Sequence, residues 1–239
     1  MLTLVVDIAS NLERLSGEIE SISLGCGRDP AEIRLLAVSK TFSADCVKQA
    51  HQWGQTLFGE NRIQEAEEKI PSVDLSGLEW HLIGPLQSNK VRRAAQLFDV
   101  IQTLDRPKIV HRLNACAEEM GKILRVFVEV KLGVEPQKHG LLPQDIPGMV
   151  EQVDSMPGLQ LQGLMAIPPY QEEAEGSRPY FRQMADLLAE INRSRQQPLK
   201  ELSMGMSHDY RIAIEEGATV LRIGTSIFGP RSVSSVGRL

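Results

Sequence analysis

The sequence predicts a single α/β domain, a (β/α)8 TIM-type barrel with an additional N-terminal helix. Three observations carry this expectation. Eight short apolar runs of strand length alternate with helical stretches along nearly the whole chain. The length, 239 residues, suits one barrel of roughly 250 residues. No Gly-rich fingerprint follows the first apolar run, which weighs against the alternative, a doubly wound sheet. The barrel, with its N-terminal helix, is expected over residues 1–230. The small polar stretch within 231–239, Ser232 to Gly237, is expected to be a flexible tail.

Each element has its own signal. Leu4, Ile8, Leu12, Leu15, Ile19 and Ile22 recur at steps of three and four, which predicts an amphipathic helix closed by Gly25-Cys26-Gly27. The run Ile33 to Val38 is apolar enough to be a buried strand. Further strands are expected near Leu57-Phe58, Trp80 to Ile83, Phe98 to Ile101, Val126 to Val130, Leu161 to Met165, Glu201-Leu202 and Val220 to Ile223. Between them, helices are expected over 43–53 with Ser43 as N-cap, over 88–97 from Ser88, and over 105–120 from Asp105 with Pro107 in the first turn. Two more are expected over 177–195 and over 208–216, the latter stopped by Gly217. The acidic stretch from Pro168 to Ser177 reads as a surface loop.

Composition narrows the function. Hydrophobic residues make up 42% and charged residues 24%, ordinary values for a globular domain. A net charge of −5 gives no electrostatic support for a nucleic-acid partner. Cys26, Cys46 and Cys116 are odd in number and match no metal spacing, so they read as free thiols of a cytoplasmic protein with no metal site. The N-terminus lacks a basic stretch ahead of an apolar one, and no apolar run has the length of a membrane span, so neither a signal peptide nor a membrane partner is expected.

In a barrel, ligands are held by the loops that leave the C-terminal ends of the strands. Lys40 directly follows the first strand. Taken alone it is a snorkelling lysine; in a partly desolvated mouth its amine would be available for imine formation with an aldehyde. Glu60 reads as a capping residue, and Asn61 as the better hydrogen-bonding candidate. His81, inside its strand, reads as a satisfied core histidine ahead of a catalytic one, and Lys90, Arg92 and Arg93 as a solvated basic face. Ser207 is expected at a helix start, where its hydroxyl and the backbone N–H groups could hold an anion. Arg222 precedes Gly224 by two residues, in phase along the last strand, and a buried Arg there is costly unless it meets a ligand or an acid. Gly224 and Thr225 leave that strand where barrels commonly bind phosphate. An amine, an anion cradle and a buried cation on one face are the set an aldehyde phosphate would use.

The motifs that hold these residues resemble a known family. Ala37-Val38-Ser39-Lys40, Phe58-Gly59-Glu60-Asn61 with Gln64-Glu65, and Trp80 to Gly84 with Leu86 to Lys90 are similar to motifs of the pyridoxal phosphate homeostasis proteins. So are Gly163-Leu164-Met165, Leu202 to Ser207 with Asp209, and Arg222 to Thr225 with Ile227-Phe228-Gly229. The resemblance implies a fold similar to the N-terminal barrel of alanine racemase. It implies pyridoxal 5′-phosphate (PLP) held as a Schiff base on Lys40, phosphate contacts from Ser207, Gly224 and Thr225, and Arg222 facing the pyridine nitrogen. Asn61 and Met165 would line the pocket. Lys131 departs from the pattern, since many members carry Asn there, while Lys138-His139-Gly140 fits it.

A protein of vitamin B6 homeostasis is therefore expected, a PLP carrier with no catalytic residues and no catalytic cycle of its own. Arg222 has only donors and would weaken PLP as an electron sink. The second base of alanine racemase comes from a further domain of the partner subunit, which is not expected in a chain ending at Leu239. The alternatives are a small amino-acid racemase that pairs Lys40 with a second base, sought first at His81, His208 and Tyr210, and a PLP-responsive regulatory module that binds a protein partner. The expected partners are PLP, PLP-dependent apo-enzymes or a regulatory protein, and the expected state is a monomer.

Overall fold

The structure, a computed structural model, describes residues 6–133, 135 and 139–230. The expected tail at 231–239, Leu4 of the first helix and Lys138 lie outside these residues. Eight parallel strands close into a barrel in sequence order: β1 (Arg34–Val38), β2 (Leu57–Glu60), β3 (Glu79–Leu82), β4 (Val100–Leu104), β5 (Leu124–Val130), β6 (Leu159–Ala166), β7 (Glu201–Ser203) and β8 (Val220–Ile223). β8 returns to β1 through a register that pairs Arg34 with Val220 and Ala37 with Ile223. The helices are α1 (Ile8–Gly25), α2 (Ala44–Gln52), α3 (Ile63–Val73), α4 (Val91–Leu97), α5 (Pro107–Glu119), α6 (Ile146–Asp154), α7 (Arg178–Asn192), α8 (Tyr210–Glu215) and α9 (Thr225–Phe228). The expected barrel and its extra N-terminal helix are both present.

The strands are buried on both faces, so alternation along them sorts two cores. Leu36, Val38, Ile83, Val100, Phe127, Met165 and Val220 fill the barrel interior. Residues of opposite phase, such as Ala37, Leu82, Val126, Val128 and Leu221, join the shell between strands and helices. Phe58 packs on Trp80 in that shell with ring centroids 5.4 Å apart. In α1, Leu12 and Leu15 are fully buried, each stabilising the fold by roughly 1.5–3 kcal/mol. The helix is tied to α9 by Asn11, whose Nδ2 donates to the carbonyl of Ile227 at 3.0 Å, and to α8 by Tyr210, whose hydroxyl donates to Glu18.

Several helix starts differ from expectation, each for a local reason. The Ser43 hydroxyl donates to Cys46 Sγ at 3.6 Å rather than capping the backbone of α2. Ser88 opens a single 3-10 turn, Ser88–Lys90, and α4 begins after it. The helix after β4 begins at Pro107 rather than Asp105, because Pro presets the first helical φ. The helix after β7 begins at Tyr210, not 208. Asp209 Oδ1 accepts the Met206 N–H at 2.7 Å and holds 206–209 as a turn, so Ser207 is not a helix-start residue. No helix among the described residues is long and apolar enough to cross a membrane.

Candidate functional site

Lys40 is half-buried and follows Val38 by two residues, the phase of the barrel-facing Leu36 and Val38. Its two chain neighbours are clamped from behind. The fully buried Glu60 accepts the Ser39 hydroxyl at 2.7 Å and the Lys69 ammonium at 2.7 Å on the same oxygen, Oε1. Lys69 also donates to the Ser39 carbonyl at 2.8 Å and to Glu65 at 2.8 Å, and Glu65 accepts the Thr41 N–H. Thr41 sits at φ 70°, the left-handed region that a β-branched residue avoids, at a cost of about 1–3 kcal/mol. The Lys69 network holds the turn in place against that strain. Glu60 is therefore not the capping residue expected from the sequence: it ends β2 facing α3, where burial pushes its carboxyl up despite the Lys69 and Ser39 contacts.

Arg222 is 4% exposed and makes no ion pair among the described residues. Its guanidinium donates to Ser203 Oγ and to the Ala166 carbonyl, both at 2.8 Å. From Ser203 a directional chain descends through the barrel. The Ser203 hydroxyl donates to Gln102 Oε1 at 2.6 Å, Gln102 Nε2 donates to His81 Nδ1 at 2.7 Å, and His81 Nε2–H donates to Glu79 Oε1 at 2.6 Å. Burial lowers the His81 pKa, which fits the neutral tautomer this chain requires. Glu79 meets Arg34 and Arg125, and Arg34 meets Glu201, so β1, β3, β5 and β7 supply one charged layer at the barrel floor. His81 is thus a satisfied core histidine of the floor, away from the mouth. Burial brings the Arg222 pKa down to about 10, which leaves the group charged at neutral pH.

At the mouth, a pocket of about 280 Å³ is lined by Asn61, Ile83, Pro85, Glu129, Val130, Leu132, His139 and Ile167. Gly84 lets Asn61 approach, since a Cβ there would lie 2.0 Å from the Asn61 carbonyl oxygen. Met165 is fully buried in the interior core below, beside Phe127 and Val220. Glu129 is the group the sequence reading missed. It is 7% exposed, its Oε2 has no hydrogen-bond partner among the described residues, and burial pushes its pKa up to about 7. Asp105 raises it further, and Arg222 and Arg106 oppose the rise. A Glu two residues after Phe127 in an apolar strand was the available signal.

Ser207, Gly224 and Thr225 come together on the β8 side. The Ser226 N–H, next to Thr225, reaches Ser207 Oγ at 3.4 Å, and the position of Gly224 packs against Val38, whose carbonyl oxygen would lie 3.2 Å from an added Cβ. The α9 turn thus meets the end of β1 without an intervening side chain. His208 is exposed and packs its ring on Tyr170, and the Tyr210 hydroxyl is bound to Glu18 of α1. Lys131 is half-buried, and its N–H donates to Leu141 at 2.7 Å. Arg92 and Arg93 form the expected exposed basic face, paired with Glu119 and Glu67.

The residues present fit an aldehyde phosphate. They offer a strand-end amine, a buried cation without an ion pair among the described residues, and a small-residue turn where a side chain would intrude. The orphaned Glu129 oxygen marks polar space beside them.

Known proteins share this sequence and fold. The family described as "Alanine racemase, N-terminal domain" matches residues 12–232. A pyridoxal phosphate homeostasis protein of Pseudomonas aeruginosa is 42% identical over 224 residues, covering 94% of this chain and 96% of that protein. Its Escherichia coli K12 counterpart is 42% identical over 231 residues, covering 95% and 98%. The structure of PipY from Synechococcus elongatus PCC7942 with PLP bound superposes with a TM-score of 0.83 at 37% identity, covering 93% of this chain and all of that one. Alanine racemase of Clostridium difficile 630 superposes with a TM-score of 0.70 at 16% identity, over 96% of this chain and 59% of that one, a likeness of fold alone. The chain belongs to the alanine racemase N-terminal domain family and, within it, to the pyridoxal phosphate homeostasis proteins.

Proposed function

We propose that this chain binds PLP as a Schiff base on Lys40 and serves vitamin B6 homeostasis as a carrier, without a catalytic cycle of its own. The observation that carries the reading is Lys40 itself, a half-buried amine at a strand end held by the Ser39–Glu60–Lys69 clamp. Support comes from relatives named pyridoxal phosphate homeostasis protein and from PipY with PLP bound. In this reading Ser207, Gly224 and Thr225 hold the phosphate, and Asn61 and Met165 line the pocket. Arg222 faces the pyridine nitrogen.

Bound PLP supplies an electron sink whose strength depends on a protonated ring nitrogen. Arg222 is a charged donor with no acceptor, so it keeps a proton off that nitrogen. Its side chain is oriented by Ser203 and the Ala166 carbonyl, and the chain through Gln102 and His81 to Glu79 fixes Ser203 in turn. Of the residues first considered as a racemase base, His81 is bound at the floor and Tyr210 to Glu18, while His208 packs its ring on Tyr170 at the surface.

The recipients in this reading are PLP-dependent apo-enzymes, the working state is a monomer, and the setting is the cytoplasm. The test mixes PLP-loaded protein with an apo-enzyme and, separately, with L-alanine or L-serine. Recovery of apo-enzyme activity without formation of D-amino acid is expected. Robust racemisation that disappears in Lys40→Ala would overturn the carrier reading.

A further inference from the structure

Glu129 does not belong to the Lys69 clamp, the Arg222 chain or the phosphate turn. Strand order gives its position meaning. In a closed eight-strand barrel β5 lies opposite β1, so the residue near the end of β5 faces the end of β1 across the mouth. Glu129 shares the phase of the barrel-facing Phe127 and lines the mouth pocket with Asn61 on β2 and Ile167 after β6. Among the described residues its Oε2 has no hydrogen-bond partner, and such an atom is costly to bury unless something meets it. The groups that face it are Asp105 and Arg106 after β4, Arg222 on β8 and His139 in the pocket wall. His139 is exposed and 3.9 Å from Asp105, so it leans toward that carboxylate. The pocket, of about 280 Å³, has room for a small molecule's polar end beside the carboxylate.

We propose that Glu129 forms a subsite for primary amines, binding the ammonium group of an incoming amine and moving its proton during exchange at Lys40. This rests on the reading that PLP is linked to Lys40. At neutral pH an amino acid arrives as an ammonium ion and cannot attack until it loses a proton. Glu129 as carboxylate takes that proton. The incoming nitrogen then forms its bond to the aldehyde carbon, the bond from that carbon to Lys40 Nζ breaks, and Glu129 returns the proton to the departing lysine amine. Nothing is oxidised or reduced, and the proton count is unchanged. Release of the cofactor would thereby answer to small amines as well as to an acceptor protein.

The test compares two amines on PLP-loaded wild type and Glu129→Gln, followed by the visible spectrum at neutral pH. L-alanine arrives protonated, whereas methoxyamine arrives neutral and needs no base. In Glu129→Gln the ratio of the L-alanine rate to the methoxyamine rate is expected to fall about 100-fold, the lower end of what a positioned acid–base group contributes. A second readout uses apo-protein labelled with 13C at glutamate carboxyl carbons, with the signal assigned by its loss in Glu129→Gln. Its midpoint is expected at about 7 and should move down when methylammonium is added, as a cation beside a carboxylate requires. An unchanged rate ratio, or a midpoint insensitive to methylammonium, would overturn the proposal. If wild type carries no borohydride-reducible link on Lys40, the PLP reading itself fails instead.

Discussion

Replacing Glu129 by Gln keeps its shape and removes its titration, so it isolates what a buried carboxyl does to stability. The ordinary pKa of 4.5 applies in the unfolded chain, and burial brings it up to about 7 in the fold. Because the folded value is the higher one, the fold binds the proton more tightly. The stabilisation is fully present below about 4.5, declines as pH rises through about 7, and is gone above it. At about 1.4 kcal/mol per pH unit, the gap corresponds to about 3 kcal/mol. The side chain is only 7% exposed, so solvent screening takes little away. Denaturant unfolding of apo wild type and Glu129→Gln at about pH 4.5 and about pH 8 reads this directly. Relative to wild type, the variant should gain about 3 kcal/mol between the two conditions. A difference between the proteins that stays constant with pH would refute the reasoning.

Other consequences follow from the same geometry. Lys40→Ala should abolish the covalent link yet leave the circular dichroism spectrum unchanged and the unfolding free energy within about 1 kcal/mol, since the side chain is only half-buried; collapse of the fold would count against its placement at the mouth. Thr225→Glu should weaken PLP at least about tenfold more than pyridoxal, which lacks the phosphate, a difference of about 1.4 kcal/mol in equilibrium dialysis; equal weakening would remove the phosphate assignment. Lys69→Met leaves Glu60 buried without its cation and should cost about 3–5 kcal/mol in denaturant unfolding, largely restored by adding Glu60→Gln; a loss below about 1 kcal/mol would show that the clamp does not hold the Lys40 turn.

The barrel was legible because short apolar runs and helix-length spacers alternate along the chain, and each of the eight expected strands overlaps an observed one. The burial of Arg222 in β8, and the place of Gly224 just past the strand's end, followed from the position of that last apolar run. Glu129 was not. Alternation along β5 puts it in phase with Phe127, but the pocket it lines draws on Asn61 after β2 and Ile167 after β6, and that grouping is tertiary. The Glu60–Lys69 pair joins the end of β2 to the middle of α3, and a tertiary contact of that kind leaves no trace in periodicity. Ser207 was misplaced at a helix start because the bond from the Met206 N–H to Asp209 delays α8 by two residues. The sequence does carry Asp209, but not the direction of its side chain.

The proposed function stands on Lys40 as the residue that carries the cofactor. Borohydride reduction of PLP-loaded protein, followed by digestion and mass spectrometry, tests it most directly. The expected result is loss of the visible absorption band and one pyridoxyl group, on the peptide that contains Lys40 and absent in Lys40→Ala. A pyridoxyl group on another lysine, or none, would contradict it.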